Sequence, residues 1–114
     1  MTQKNEAFKQ NGINPVNERE GWWGIDTVTN DLYVCIWENE FNNGICRRVR
    51  RFGQGAGSVD TQFWNVIQPR VSNGLTKAKG IFIKEVNGIK DYNPTPVDIE
   101  FISVNDNRFV VELI

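Results

Sequence analysis

This sequence predicts a β-rich α+β domain. It is either an antiparallel sheet or a small OB-like barrel with one short helix between its third and fourth strands. Three observations lead there. Short apolar stretches such as "DLYVCIW", "IFIKEV" and "RFVVELI" are bounded by Asn-Gly, Asn-Asp and Pro signals, as strands are. Only "TQFWNVIQ" in the middle of the chain places its apolar residues at helical spacing. The resulting order, three strands, a helix and three strands, matches the order of an OB barrel, although many α+β domains share it.

The elements follow in order. Residues 1–20 are polar, Asn-rich and without a clear period, and read as a loosely held arm with a short helical turn around Ala7 and Phe8. The ordered domain is expected to span residues 21–114 and to begin at "GWWGIDTV". There, strand alternation would send Trp22 and Trp23 to opposite faces. "DLYVCIWENEF" and "ICRRVRRF" form a hairpin across "NNG". Leu32, Val34 and Ile36 then share an aliphatic face, and Tyr33, Cys35 and Trp37 share the other. With Asn42 and Asn43 as the loop residues, Tyr33 faces Phe52, Cys35 faces Arg50 and Trp37 faces Arg48. Arg47 and Arg51 fall on the aliphatic side, which suits a sheet edge or a bulge.

"GQGAGS" is a loop, and Ser58 or Asp60 caps the helix carrying Phe63, Trp64 and Ile67. Pro69 is expected to end or kink that helix. "NGLTKAKG" is a basic connection into the strand "IFIKEV", and Asn87-Gly88 makes a turn. After the proline-containing loop "DYNPTPV", "DIEFISV" and "RFVVELI" close the domain as a hairpin across "NDN".

Several function classes lose their materials at once. The chain has 114 residues, 39% of them apolar, enough for one core, and no apolar run approaches a membrane span. The first residues lack the apolar centre of a secretory signal, so a cytoplasmic location is expected. There is no histidine, which removes the commonest general base, the usual triads and a ready zinc set for Cys35 and Cys46. Those cysteines read as reduced, packed thiols. Asp26, Asp98 and Glu100 would be magnesium ligands only in a nuclease-like site. Alternation on a half-exposed strand makes Asp98 and Glu100 a solvent face instead. "GQGAG" lacks the GK[ST] ending of a P-loop and is not GxGxxG. No enzyme activity, metal or cofactor is expected.

Charge is the feature that points to a partner. Net charge is −1, yet residues 45–90 hold nine Lys/Arg against two acids, while both flanking segments are acidic. "CRRVRRFGQGAG" concentrates that charge in Arg47, Arg48, Arg50 and Arg51, followed by Gly53, Gly55 and Gly57. Arginine forks bind phosphate bidentately and stack on rings. Unshielded glycine-loop amides also hold phosphate. Lys77 and Lys79 would widen the positive track, and Tyr33, Trp37 and Phe52 would offer stacking faces for unpaired bases.

The expected function is a non-catalytic nucleic-acid-binding domain, with single strands preferred. Two alternatives use the same composition. One is a protein-interaction or inhibitor domain of the phage type, suggested by four tryptophans and a two-signed surface. The other is a pocket for a nucleotide or another phosphorylated small molecule. A homodimer is compatible with any of the three.

Overall fold

The computed structural model describes the backbone of residues 1–15, 21–49, 58–105 and 108–114. It is a curled, half-barrel mixed sheet with two helices. The strands are β1 (Trp23–Ile25), β2 (Leu32–Trp37), β3 (Phe41–Asn42), β4 (Ile45–Val49), β5 (Lys77–Val86), β6 (Ile89–Tyr92), β7 (Val97–Asn105) and β8 (Arg108–Leu113). They lie in the order β1-β2-β5-β7-β8-β4-β3, with β6 also paired to β5. Helix α1 covers Lys4–Gln10 and α2 covers Ser58–Ser72. Among the described residues, no helix is long and apolar enough to cross a membrane.

One pairing departs from an all-antiparallel sheet: β2 and β5 run parallel, with Cys35 opposite Ile81 and Trp37 opposite Ile83. A parallel pair needs a long crossover, and residues 38–76, carrying β3, β4 and α2, supply it. The expected hairpin between β2 and β4 is therefore not formed. The chain leaves β2 through a 3-10 turn at Glu38–Glu40. It then makes a smaller hairpin in which Phe41 faces Cys46 and Asn42 faces Ile45. Its two loop residues are Asn43 and Gly44, with φ of 52° and 80°. Two consecutive positive φ values suit an Asn-Gly turn. The turn thus sits one residue later than "NNG" alone suggests.

Helix α2 is the hub of one side of the sheet. Phe63, fully buried, lies 4.5 Å from the Trp22 ring, 5.7 Å from Trp23, 6.2 Å from Phe101 and 5.9 Å from Phe109. Trp22 and Trp23 stand at the β1 end of the strand order, while Phe109 belongs to β8. One side chain reaches both only because the sheet curls around the helix. Both tryptophans are buried, because Trp22 precedes the strand and strand alternation does not govern it. Its indole Nε1–H donates to Asp60 Oδ1 at 2.7 Å, fastening the first turn of α2 to the start of β1.

Pro69 does not end α2, which continues to Ser72. Proline forfeits its own bond to the carbonyl four residues back, but Asn65, Gln68 and Pro69 are all exposed, where water replaces that bond cheaply.

The opposite face of β1 and β2 is covered as well. Gly24 pairs with Tyr33, and a Cβ on Gly24 would meet Asn14 O and Ile13 Cγ2, each at 3.0 Å. The segment after α1 therefore lies directly on this face. Ala7, Phe8 and Ile13 of the arm are buried in the same core cluster as Tyr33 and Cys35. Helix α1 is closed by Gly12 (φ 73°), just past its C-cap Asn11, with Ile13 N–H donating to Phe8 O and Gly12 N–H to Lys9 O. That double bond pattern is a Schellman close, which turns Ile13 back toward Phe8. The arm is tied down by Tyr92 N–H to Thr2 O, Thr2 N–H to Asp91 Oδ1 and Asn11 Nδ2–H to Pro94 O.

Candidate functional site

The arginine run begins where the sheet is losing its outer neighbour. On one side β4 pairs with β8, placing Arg47 opposite Val110 and Arg48 opposite Phe109. On the other side β3 reaches only as far as Cys46. Beyond Cys46, among the described residues, no strand borders the outer edge of β4. Arg47 and Arg48 are described through this backbone register alone. Arg50, Arg51, Phe52, Gly53, Gly55 and Gly57 lie outside the described residues.

The aromatic partners expected beside these arginines are placed differently. Because β2 pairs with β1 and β5, Tyr33 and Trp37 do not stand across a hairpin from the run. Tyr33 is 8% exposed, so its ring belongs to the core and offers no open stacking face. Burial, then the nearby Asp31 carboxylate, pushes its hydroxyl above the usual phenol range. Trp37 is half-buried, with Lys90 Nζ 5.6 Å from its ring centroid. One approach to that ring is already taken by a cation.

Lys77 and Lys79 open β5, and Lys79 is paired with a carboxylate. Lys79 Nζ donates to Asp98 Oδ1, an interaction that raises the lysine above its ordinary range. Lys77 is exposed and stands in register with Glu100. With Asp31, Asp98 and Ile114 they line a cleft of about 440 Å³. In a neighbouring cleft, Arg70 reaches from α2 to the β1–β2 loop. Its Nη2 donates to Asn30 O at 2.7 Å and its Nη1 to Asn30 Oδ1 at 3.2 Å. Its Nε is buried without a hydrogen-bond partner, and burial lowers the guanidinium below its usual range. Three cations here stand among Asp31, Asp98 and Glu100, so the clefts are two-signed rather than a positive track.

A third cavity, of about 280 Å³, is one that no motif in the sequence announces. It lies where the 3-10 turn, β5, β6 and the arm converge. It is lined by Thr2, Glu38, Phe82, Lys84, Asp91, Tyr92, Asn93 and Pro94. Phe82 packs against Phe41 of β3, with ring centroids 5.2 Å apart. Burial raises the Tyr92 hydroxyl. Only "IFIKEV…IKDYN" is local; Glu38 and Thr2 arrive from distant segments, so no sequence spacing marks the cavity.

Catalytic material stays scattered. Among the described residues, no group of three His, Cys, Asp or Glu side chains could hold a metal ion. Asp26 accepts the N–H groups of Val28 and Thr29, which organise the β1–β2 loop and lower its carboxyl below the usual range. Cys35 and Cys46 are buried, and the Cys46 thiol donates to Glu40 Oε2 at 3.7 Å. The chain matches no protein-family model, no curated protein and no solved structure.

Proposed function

We propose that this domain binds nucleic acid without catalysis and prefers single strands. One observation carries the reading: the strand edge next to β4 ends at Cys46, and the arginine run starts at the following residue. Arginines there would offer bidentate forks for phosphate. Arg47, Arg48, Arg50 and Arg51 would neutralise successive phosphates, with the amides of Gly53, Gly55 and Gly57 beside them. Phe52, directly after the run, would supply a stacking ring. Lys77 and Lys79, already facing carboxylates, contribute little. In this proposal the curled sheet is OB-like, and the protein works in the cytoplasm without a cofactor.

A second reading is favoured by a separate observation. A β-bulge between Phe101 and Ser103 leaves Ile102 51% exposed, and Ile114 at the end of β8 is 65% exposed. Exposed apolar groups along the β7–β8 pair suit a protein partner. The deciding experiment is fluorescence anisotropy of a labelled single strand at low and high salt. Binding that weakens with salt and is lost in the Arg47→Ala/Arg48→Ala/Arg50→Ala/Arg51→Ala variant supports the first reading. No binding at low salt removes it and leaves the protein-partner reading.

A further inference from the structure

We infer that the side of β7 facing away from α2 is a contact between two copies of this chain, related by a two-fold axis that runs along β7. The inference rests on the second reading above, whose protein partner it names, and does not depend on nucleic-acid binding.

A row of cross-strand neighbours is the first argument. Lys77 of β5 is in register with Glu100 of β7, and Glu100 is in register with Glu112 of β8. Phe101 packs on Phe63 of α2, so Glu100, one residue earlier, falls on the opposite side of the sheet. Residues directly opposite on adjacent strands share a face, and Lys77 and Glu112 therefore flank Glu100 there. Strands lie about 4.8 Å apart, so the two stand at equal distances from β7. Both are exposed, while Glu100 is half-buried and its Oε2 accepts the Thr76 hydroxyl at 2.8 Å. In one copy two acids stand directly opposite each other, which is unfavourable. An axis along β7 exchanges the ends of the row, and Lys77 of each copy meets Glu112 of the other. An axis along the row would instead set Lys77 on Lys77 and Glu112 on Glu112. The signs select the first arrangement.

Apolar residues repeat the pattern one step along the strands. The β-bulge leaves Ile102 51% exposed, and Val110, in register with Ser103, is half-buried. On the β5 side, Phe101 N–H donates to Thr76 O at 2.8 Å. The pairing thus runs on past Lys77 and brings Leu75, which is 50% exposed, to the level of Ile102. The same axis sets Ile102 on its counterpart and Leu75 against Val110 of the second copy. Both rows are their own complements, as an isologous interface requires. The arm packs with Tyr33 and Cys35 of β2, so arm and second copy occupy different parts of this side. A net charge of −1 per chain adds little repulsion. The sheet curls around α2, which confines contact to β7 and its two neighbours and makes the dimer weak.

The test is sedimentation velocity of the full chain over a dilution series, with far-UV circular dichroism to confirm folding. The parent chain should self-associate. Lys77→Glu and Glu112→Lys, each on an exposed side chain, should weaken the dimer about tenfold or more, since two attractive pairs become two repulsive ones. An equimolar mixture of the two variants should recover the parental affinity, because each mixed dimer regains two opposite-charge pairs. The Lys77→Glu/Glu112→Lys double variant should recover it as well. Should Lys77→Glu fail to fold, having set a third acid in the row, Ile102→Lys answers in its place. It leaves the row intact, puts two like charges on the axis and should abolish association. Undiminished association in these variants, or no recovery in the mixture of folded variants, overturns the inference. A parent chain that stays monomeric also overturns it, and it overturns the dimer alone, because neither a different protein at Ile102 nor a nucleic acid on the arginine run needs self-association.

Discussion

Replacing Phe8 with alanine tests whether the N-terminal arm is part of the core or a cover resting on it. Phe8 is fully buried, and it sits in the same cluster as Tyr33, Cys35 and Ile83. Removing a buried phenyl costs about 3–5 kcal/mol, from lost transfer energy plus the cavity left behind. The chain has two ways to take that cost. It can keep the arm docked around a void, or the arm can lift. The backbone and side-chain bonds from Thr2 and Asn11 to the β6 region resist lifting. Each contributes roughly 1 kcal/mol net, too little to hold the arm without its apolar residues. Lifting would bare the face of β2 that carries Tyr33 and Cys35. Urea unfolding should therefore show a loss of about 3–5 kcal/mol, and heating a melting point lowered by roughly 12–20 °C for a domain of this size. A thiol reagent should modify Cys35 faster in Phe8→Ala than in the parent chain, while Cys46 in β4 keeps its protection. Phe8→Leu should recover most of the loss. A cost below about 1 kcal/mol, with Cys35 equally protected, would refute the argument that the arm completes the core.

The other predictions concern smaller perturbations. Trp22→Phe keeps a ring against Phe63 but removes the donor to Asp60, and should cost about 1–3 kcal/mol by chemical denaturation. Asp26 has a lowered carboxyl because it accepts two backbone N–H groups, so its ionised form favours the folded state above the unfolded pKa, near 3.9. That contribution is lost as pH falls through the lower folded value, and Asp26→Ala should flatten this part of the stability profile in urea titrations at successive pH values. Four phosphate contacts on a single strand give a log–log salt slope near −0.7 per contact, so a fourfold rise in salt should weaken binding about 50-fold. Arg47→Ala/Arg48→Ala should halve that slope, and an unchanged slope would place the phosphates elsewhere.

The β-rich character is legible in the sequence because it rests on local periodicity. The β7–β8 hairpin is legible for the same reason, with Asn105 opposite Arg108 across the expected turn. The cover of β2 is not. Leu32–Trp37 contains no charged or amide side chain, which is the pattern of a strand buried on both faces and common in parallel pairs. Alternation divides the same residues into an aliphatic face and an aromatic face, and leaves unsaid what lies on the second. The answer comes from Ala7, Phe8 and Ile13, in a segment whose polarity hides three apolar residues that α1 and its Gly12 close bring to one side. The partner of β4 is equally hidden. "NNG" permits a turn at either pair of residues, and a one-residue choice decides whether Cys46 meets Phe41 or Asn39. The cavity beside Phe82 is beyond the reach of sequence, since its walls come from segments with no shared spacing.

This double cover narrows where any ligand can bind. A sheet with one bare face offers that face as a platform, as the alternation of Tyr33, Trp37 and the arginines suggests. Here α2 fills the concave side, and the arm covers the opposite side of β1 and β2, so neither side of β2 is a platform. Two places then remain to compare: β4 past the end of its pairing with β3 at Cys46, and the seam where the 3-10 turn meets β5 and β6. The first is followed directly by the arginines and glycines, and the second is lined by Phe82, Tyr92, Glu38, Lys84 and Asp91 among others. The clefts at the start of β5 are a third seam, but each lysine there faces a carboxylate across the β5–β7 pair. A polyanion would have to displace Asp98 to use Lys79, so the binding proposal rests on the arginine run that follows Cys46.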